Sequence, residues 1–418
     1  MSPISRGVPV ANAIRTIVLL CAVSVFILTS PPTVWAAKPP ELVQVKAVSQ
    51  DGEYSMLDAA RGVSCKGGKI FVVGHVSDHL GYRAYLGRFD RQLRCESTWT
   101  YPDRFEMHEC EFMDAAVNSA GDILLVGVNY SNSGSAGFIQ KIAKNMKEVK
   151  KTVNTDAEGS VYPTAISIDR KGFVYVVGQS DGARLLKYDR NLNFLKSGTR
   201  NGSTSIAQDT HGLALDSTGN VFVAGTINDG TGRRDIWVGK FDKDLQLVSE
   251  VLIPGDNDYP GYNNVDQARK IAVDAKGRVY VVGTMGFGDS WDRVWVGKFD
   301  NSLNPLGSFT KTGITGRGLG LAIATDNRGH LFVCGELGTT SPAGEWDTWL
   351  GVYDTHLNFI AETIYSNYPP PQSGFAQAMA LLPNGYVMLA GSIDGAGTSQ
   401  DIWLAKVKAL RLPRVKKP

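Results

Sequence analysis

A short apolar run that ends in glycine recurs seven times along this 418-residue chain, and this repeat constrains the fold more than any other feature. A second glycine precedes each of these marker glycines by six residues. Repeats of about 50 residues are typical of propellers and solenoids, in which each copy forms one supersecondary unit. The marker glycines are Gly74, Gly127, Gly178, Gly225, Gly283, Gly335 and Gly391, and the preceding glycines are Gly68, Gly121, Gly172, Gly219, Gly277, Gly329 and Gly385.

Each repeat has the pattern of four β-strands joined by short turns. In the fifth copy, a short strand at 269–274 ends in an Asp-x-x-Gly turn and leads into a β-branched run with the marker glycine. A variable loop, a third strand at 294–300 and, after a turn, a fourth strand follow. Since no comparable stretch has a helical period, we predict an all-β fold, a seven-bladed β-propeller of four-stranded antiparallel blades.

The two ends of the repeat region predict how the ring closes. The seventh copy stops after its third strand, and residues 41–50 resemble the missing fourth strand. We expect this N-terminal strand to complete the last blade, which removes two open sheet edges. The predicted propeller spans 41–410, and a basic C-terminal tail, 411–418, follows. The repeats lie at about 52–105, 106–157, 158–203, 204–257, 258–313, 314–369 and 370–410.

Residues 1–36 have the pattern of an export signal. Arg6 and Arg15 precede an uncharged apolar run at 17–28, and residues 34–36 offer a cleavage pattern. The run is shorter than the ~20 residues that a bilayer span requires, so we expect cleavage after this segment and no transmembrane segment beyond it. An uncleaved anchor is the alternative. The predicted location is the periplasm or the outside of the cell, secreted or at the surface.

The charge balance excludes one class of partner. The chain has 43 Lys and Arg against 41 Asp and Glu, a formal charge of +2. A nucleic-acid binder that relies on a basic surface would need a larger excess of cations. We therefore expect no nucleic-acid partner, and we predict a monomer that binds a protein or glycan at the cell envelope.

The repeat resembles the bacterial seven-bladed β-propeller repeat family, the SBBP-type repeats. The segments LALDSTGNVFVAG (213–225), DIWVGKFD (235–242) and IAVDAKGRVYVVG (271–283) match the pattern of that family closely. Copies one, two and seven depart from it, because Cys65, Asn118 and Leu382 replace the turn aspartate. The resemblance implies an exported or surface propeller and implies no particular chemistry, since most members have none assigned.

Candidate binding residues lie where the copies differ from one another. The longest and most variable connections share one face of a propeller, so we expect the binding surface there, around the tunnel mouth. Counted back thirteen residues from the marker glycine, three copies have Arg61, Asp114 and Lys270 where the others have Ala or Gly. Arg61 and Asp114 lie in adjacent blades and could pair, and we expect Lys270 to approach the tunnel from the far side. Nearby candidates are Glu111, Asp209, His211, Arg269 and Gln377.

Two interpretations of these charged residues stay open. They could form a pocket for an anion or a sugar, or they could be a structural ion pair in a hydrated tunnel, because charges near the axis need a partner or water. The predicted function is a non-enzymatic binding or scaffold module for a protein, a glycan or a small anionic ligand.

The alternative function is a metal-dependent lyase or a hydrolase-like enzyme with its site at the tunnel mouth. Its weak catalytic candidates are His108, His211 and Glu111. No H-E-x-x-H ligand spacing and no G-x-S-x-G nucleophile motif occurs in the sequence. We therefore predict no metal site and no cofactor, and leave a bound divalent metal open as part of this alternative.

Four cysteines follow the predicted signal segment. Cys334 replaces Val or Ala in a second strand, so we expect it to be a buried apolar residue. An oxidising compartment permits a disulfide among Cys65, Cys95 and Cys110, and the sequence does not decide whether one forms or between which of them.

Overall fold

The chain divides into two units, Met1–Ala36 and Ala37–Pro418, and every described residue belongs to the second. The predicted signal segment and the predicted basic tail lie outside the described residues. The computed structural model describes residues 40–48, 58–78, 81–101, 109–131, 134–155, 161–179, 184–200, 207–228, 234–255, 266–287, 291–338, 346–365, 374–383, 385–394 and 400–408.

The described residues form seven four-stranded sheets, which we call blades 1 to 7. The inner strands are β2 (Ala59–Lys66), β6 (Glu109–Val117), β10 (Tyr162–Ile168), β14 (Ala207–Leu215), β18 (Gln267–Val273), β22 (Gly318–Thr325) and β26 (Gly374–Leu382). The second strands are β3 (Lys69–Asp78), β7 (Ile123–Ser131), β11 (Val174–Gln179), β15 (Val221–Asn228), β19 (Val279–Phe287), β23 (His330–Gly338) and β27 (Tyr386–Asp394). The third strands are β4 (Gly81–Phe89), β8 (Gly134–Ile142), β12 (Arg184–Tyr188), β16 (Arg234–Phe241), β20 (Trp291–Phe299), β24 (Trp346–Asp354) and β28 (Gln400–Lys408). The outer strands are β5 (Cys95–Tyr101), β9 (Val149–Asn154), β13 (Phe194–Thr199), β17 (Leu247–Ile253), β21 (Pro305–Lys311), β25 (Phe359–Tyr365) and β1 (Glu41–Val48).

The blades form a closed ring, which confirms the predicted seven-bladed propeller. The inner strands of neighbouring blades contact one another all the way round, from β2 to β26 and back to β2. Strand β1 pairs antiparallel with β28, so the N-terminal strand completes blade 7 as predicted. Blade 7 thus combines the N-terminal strand β1 with the last three strands, β26, β27 and β28, and this pairing closes the ring.

The propeller has two chemically different ends. At the loop end, second strands connect to third strands and one blade connects to the next. At the turn end, inner strands connect to second strands, and third strands connect to outer strands, through tight turns. Part of the chain at the loop end lies outside the described residues.

The two glycine columns serve different purposes. The glycines that precede the marker by six residues have φ between 78° and 93° in all seven blades, a backbone conformation that costs glycine nothing. The marker glycines instead permit a close approach of two strands. A Cβ atom at Gly74 would lie 1.9 Å from the carbonyl oxygen of Ala59.

The turns between third and outer strands adopt a conformation that the sequence did not indicate. In six of them an apolar residue other than glycine has φ between 55° and 68°. For a branched residue such as leucine this is an uncommon backbone region. Most of these side chains are buried, and burial offsets the cost of the backbone. They are Leu93, Met146, Leu192, Leu245, Leu303 and Leu357.

The hydrophobic core consists of seven clusters, and each combines residues of two adjacent blades. The cluster between blades 7 and 1 joins Ile402 and Leu404 to Val72 and Tyr85, so apolar packing continues across the closure. Within the described part of the chain, no helix is long and apolar enough to cross a membrane.

Candidate functional site

A β-bulge in every inner strand organises the loop end of the tunnel. The ladder between inner and second strand shifts by one residue next to the marker glycine in all seven blades. A bulge leaves one residue unpaired and redirects its side chain. The bulged residues are Arg61, Met113, Thr164, His211, Arg269, Leu321 and Gln377.

The register of blade 1 corrects one prediction. Its first turn is shorter than the others, since Lys66 pairs with Lys69 across only two residues. Counting back thirteen residues from the marker glycine therefore reached Arg61, which lies one residue before the equivalent position in β2. Gly62, and not Arg61, is the structural equivalent of Asp114 and Lys270.

The ion pair that the sequence allowed between Arg61 and Asp114 does not form among the described residues. Arg61 instead lies between blades 7 and 2. Its Nε donates to Oε2 of Glu111 at 3.3 Å, and its Nη1 donates to Oε1 of Gln377 at 3.2 Å. Three residues that the sequence nominated separately are thus brought together from three blades.

Glu111 is the centre of this group. Tyr130 Oη donates to Glu111 Oε1 at 2.7 Å. His75 Nδ1 lies 3.3 Å from Glu111 Oε2, the same oxygen that Arg61 approaches. Both carboxylate oxygens therefore have partners, and we call Arg61, His75, Glu111, Tyr130 and Gln377 the Glu111 cluster.

These partners hold Glu111 in its ionised form. Burial alone would raise the pKa of Glu111, but the close imidazole of His75, the charge of Arg61 and the hydrogen bond from Tyr130 lower it to about 2. Burial and the neighbouring carboxylate raise the pKa of the Tyr130 phenol. At neutral pH the cluster is a fixed arrangement of a carboxylate and its donors.

The Glu111 cluster lines a cleft at the loop end. The cleft has a volume of about 370 Å³ and opens at the junction of blades 7, 1 and 2. The ring of Tyr82 meets the ring of His75 edge-on, with 4.8 Å between their centroids. The lining residues are Ala59, Arg61, His75, Tyr82, Glu109, Glu111, Tyr130, Gln377, Ser392 and Gln400.

A second charged pair crosses the tunnel. Lys270 Nζ of blade 5 lies 4.0 Å from Asp114 Oδ2 of blade 2, and these two blades are not neighbours. The same Asp114 oxygen accepts the backbone N–H of Ile166 at 3.2 Å, from blade 3. Lys270 therefore has a partner, as the interpretation of a structural ion pair in the tunnel requires.

The remaining predicted residues lie in blades 4 and 5. Burial and the positive charges of Arg269 and Lys270 lower the pKa of His211 to about 3, so this imidazole is neutral at physiological pH. Asp209 lies on β14 opposite Thr226, and its side chain is outside the described part. His108 is outside the described residues altogether.

The described residues do not assemble the metal site of the alternative function. Among them, no group of three or more His, Cys, Asp or Glu side chains is placed to hold a metal ion. Glu111 is engaged by Arg61 and His75, whereas His211 has the cations of blade 5 as its neighbours.

The cysteines are free thiols. Cys65, Cys95, Cys110 and Cys334 form no disulfide in the described structure. Cys334 is fully buried, which confirms the prediction of an apolar role. Burial raises the pKa values of the Cys65, Cys110 and Cys334 thiols to about 12, so these thiols are unreactive at neutral pH.

Two residues that the sequence analysis missed follow a marker glycine directly. That column contains His75 in blade 1 and Glu336 in blade 6, and elsewhere only Val, Gln, Thr or Ser. Both side chains are buried. Burial raises the pKa of Glu336 to about 7, although Arg269 opposes the shift. An ionisable residue in an otherwise uncharged column was the signal that could have identified them.

Comparison with known proteins supports the fold. The family described as Beta-propeller repeat, SBBP, matches residues 155–185, so this stretch of blade 3 carries an SBBP repeat and the predicted resemblance is confirmed. No curated protein matches the sequence significantly.

Several solved structures share the propeller architecture. YCF48 bound to D1 peptide is 12% identical with a TM-score of 0.53, and the match covers 90% of this chain and 99% of that one. YCF48 from Cyanidioschyzon merolae is 10% identical with a TM-score of 0.52, covering 88% and 100% of the two chains. The polysaccharide lyase Uly1 is 9% identical with a TM-score of 0.52, covering 88% and 99%. At these identities the likeness shows the fold alone.

Proposed function

We propose that this chain is an exported, non-enzymatic binding module of the cell envelope, and that its partner docks at the loop end in the cleft of the Glu111 cluster. The observation that carries the proposal is the cleft of about 370 Å³, within the ~300–1,000 Å³ range of ligand sites. Three blades contribute its polar side chains, and their mutual hydrogen bonds fix these groups before any ligand arrives.

The protonation states of the candidate catalytic groups favour binding over acid–base catalysis. An efficient general base has a pKa near the operating pH. Glu111, with a pKa of about 2, and His211, with a pKa of about 3, are both far below it. Each is therefore a weak proton acceptor at neutral pH.

The fold is compatible with this role. YCF48, which shares the architecture, binds a peptide. The proposed partner is a protein segment, a glycan or a small ligand.

The cleft is tested with Gln377→Trp, because an indole at this bulge would fill the space beside Arg61. The matched control is Leu321→Trp at the equivalent bulge of blade 6. The two variants and the parent protein are compared on peptide and glycan arrays and with small organic anions. Binding that Gln377→Trp abolishes and Leu321→Trp retains supports the proposal. Binding that survives Gln377→Trp, or no binding by the parent protein, would overturn it.

Export is tested separately. If residues 1–36 are a cleaved signal, the protein recovered from the periplasm or medium of a Gram-negative host begins at Ala37 by mass spectrometry. A full-length chain retained in the cytoplasm contradicts export.

A further inference from the structure

Two of the three cations that the sequence offered for an anionic ligand already have partners. Arg61 donates to Glu111 and Gln377, and Lys270 lies 4.0 Å from Asp114. A carboxylate or phosphate entering the cleft would compete with Glu111 for Arg61. It would also approach two glutamates, since Glu109 lines the same cleft. The charges of the cleft therefore disfavour an anion.

Glu109 is the uncompensated charge of the cleft. Its side chain is exposed, and it takes part in no ion pair or hydrogen bond involving the described residues. It lies opposite Tyr130 in the ladder between β6 and β7. Its Oε1 would be 3.2 Å from a Cβ atom at Gly81, which directly precedes Tyr82. Tyr82 and Tyr130 line the same cleft as this carboxylate.

From this arrangement we infer that the cleft binds an alkylammonium or guanidinium group, supplied by a lysine or arginine side chain of a protein partner. The inference rests on the proposed function and specifies its ligand. A carboxylate attracts such a cation, and the faces of tyrosine rings attract it further. Glu111 and Arg61 compensate each other, so the net negative charge of the cleft is that of Glu109.

Two further observations favour a protein segment as the source of the cation. The amide oxygen of Gln377 accepts from Arg61, which leaves its amide N–H groups as donors for a backbone carbonyl of the partner. The charge of the chain is also complementary. Two arginines precede residue 37, four cations and no acid lie in the tail 411–418, and the formal total is +2, so residues 37–410 have a formal charge of −4.

The probes for this inference are N-acetyl-lysine methylamide and its norleucine counterpart, which has an alkyl side chain without the ammonium group. Saturation-transfer NMR measures their binding to the full propeller. We expect binding of the lysine probe only. Glu109→Gln should weaken that binding by about fivefold, the effect of one exposed charge contact with aromatic support. The matched control is Glu148→Gln, an exposed glutamate on the turn between β8 and β9, and it should leave the binding unchanged.

Three results would overturn the inference. Equal binding of the norleucine probe would show that the charge is not recognised. Tighter binding of putrescine than of the lysine probe would make a free amine the ligand. Binding of glucuronate that Gln377→Trp abolishes would show an anion site, and would leave the proposed binding function intact while refuting the cationic ligand.

Discussion

The two ends of the tunnel use carboxylates in opposite ways. At the turn end, the aspartates of the inner turns accept the backbone N–H groups two and four residues further along the chain, as Asp169, Asp274 and Asp326 do. At the loop end, Glu111 and Asp114 occur once each and have side-chain partners in other blades.

The difference separates residues that build the fold from residues that build a site. The partners of a turn aspartate are fixed by the local chain, so the same residue recurs in blades 3 to 6. Glu111 has its partner Arg61 50 residues away, and its arrangement depends on the closed ring. The comparison implies that long-range links at the loop end contribute more to stability, residue for residue, than the local turns.

The variant with the largest expected effect lacks strand β1, which pairs with β28 from the other end of the propeller sequence. Deleting residues 40–48 breaks the ladder between β1 and β28 and uncovers the core around Trp403 and Val407, which Leu42 packs against. We expect a loss of roughly 5 kcal/mol or more in the free energy of unfolding, from the lost hydrogen bonds and apolar burial. Urea unfolding followed by circular dichroism measures it.

The control for this deletion removes the basic tail, 411–418, and should leave the unfolding midpoint unchanged. If the two deletions had equal effects, closure by β1 would not stabilise the propeller.

The next effect concerns the charge of Glu111. Its pKa is lowered from 4.5 to about 2 in the folded protein, so its ionised form stabilises the fold above pH 4.5, and this contribution is lost as the pH falls towards 2. Glu111→Gln keeps the shape and removes the charge. We expect it to cost about 3 kcal/mol at pH 7 and about half of that at pH 3. Urea unfolding at the two pH values measures the difference.

Asp274→Asn is the matched change at the turn end. The amide oxygen of asparagine can still accept the backbone N–H groups of Lys276 and Arg278, but the ion pair with the Arg278 side chain is lost, so we expect a loss of about 2 kcal/mol at pH 7. A cost at Asp274 that exceeds the cost at Glu111 would reverse the comparison between the two ends.

These contrasts also explain what the sequence could predict. The fold followed from two glycine columns because each has a local physical cause, a positive φ at one and a close strand approach at the other. The closure followed from a missing strand. Both features are repeated, and a repeated feature can be recognised without knowledge of distant contacts.

The candidate site was harder to predict from the sequence, because its contacts depend on strand register and on segments that are distant in the chain. Arg61 was misaligned by a turn that is one residue shorter in blade 1. His75 and Tyr130 reach Glu111 from second strands of different blades, and no local pattern brings them together. Gln377 is 316 residues from Arg61, and only the closed ring makes them neighbours.

Two variants with a smaller expected effect test whether the backbone of the turn at Leu303 is strained. Leu303 has φ of 68° and a side chain that is 3% exposed. Leu303→Ala and Leu303→Gly lose nearly the same burial, but only glycine relieves the backbone. We expect the glycine variant to be about 1 kcal/mol more stable than the alanine variant, the reverse of the order in strands and helices. Thermal unfolding compares the two, and the ordinary order would show that this backbone is unstrained.

The smallest expected effect is the coupling between Asp114 and Lys270 across the tunnel. The two charges are 4.0 Å apart, and their side chains are 18% and 27% exposed, so water reaches both. A double-mutant cycle of Asp114→Asn and Lys270→Met should give a coupling energy of about 0.5 kcal/mol. The single change at Asp114 should cost more than this coupling, because its two oxygens accept the N–H groups of Ala115 and Ile166 and asparagine keeps only one acceptor oxygen. A coupling above about 2 kcal/mol would mean that this pair is as desolvated as the Glu111 cluster. Two ion pairs of equal strength would then hold the loop end of the tunnel, and the distinction between a preorganised cleft and the rest of the loop end would fail.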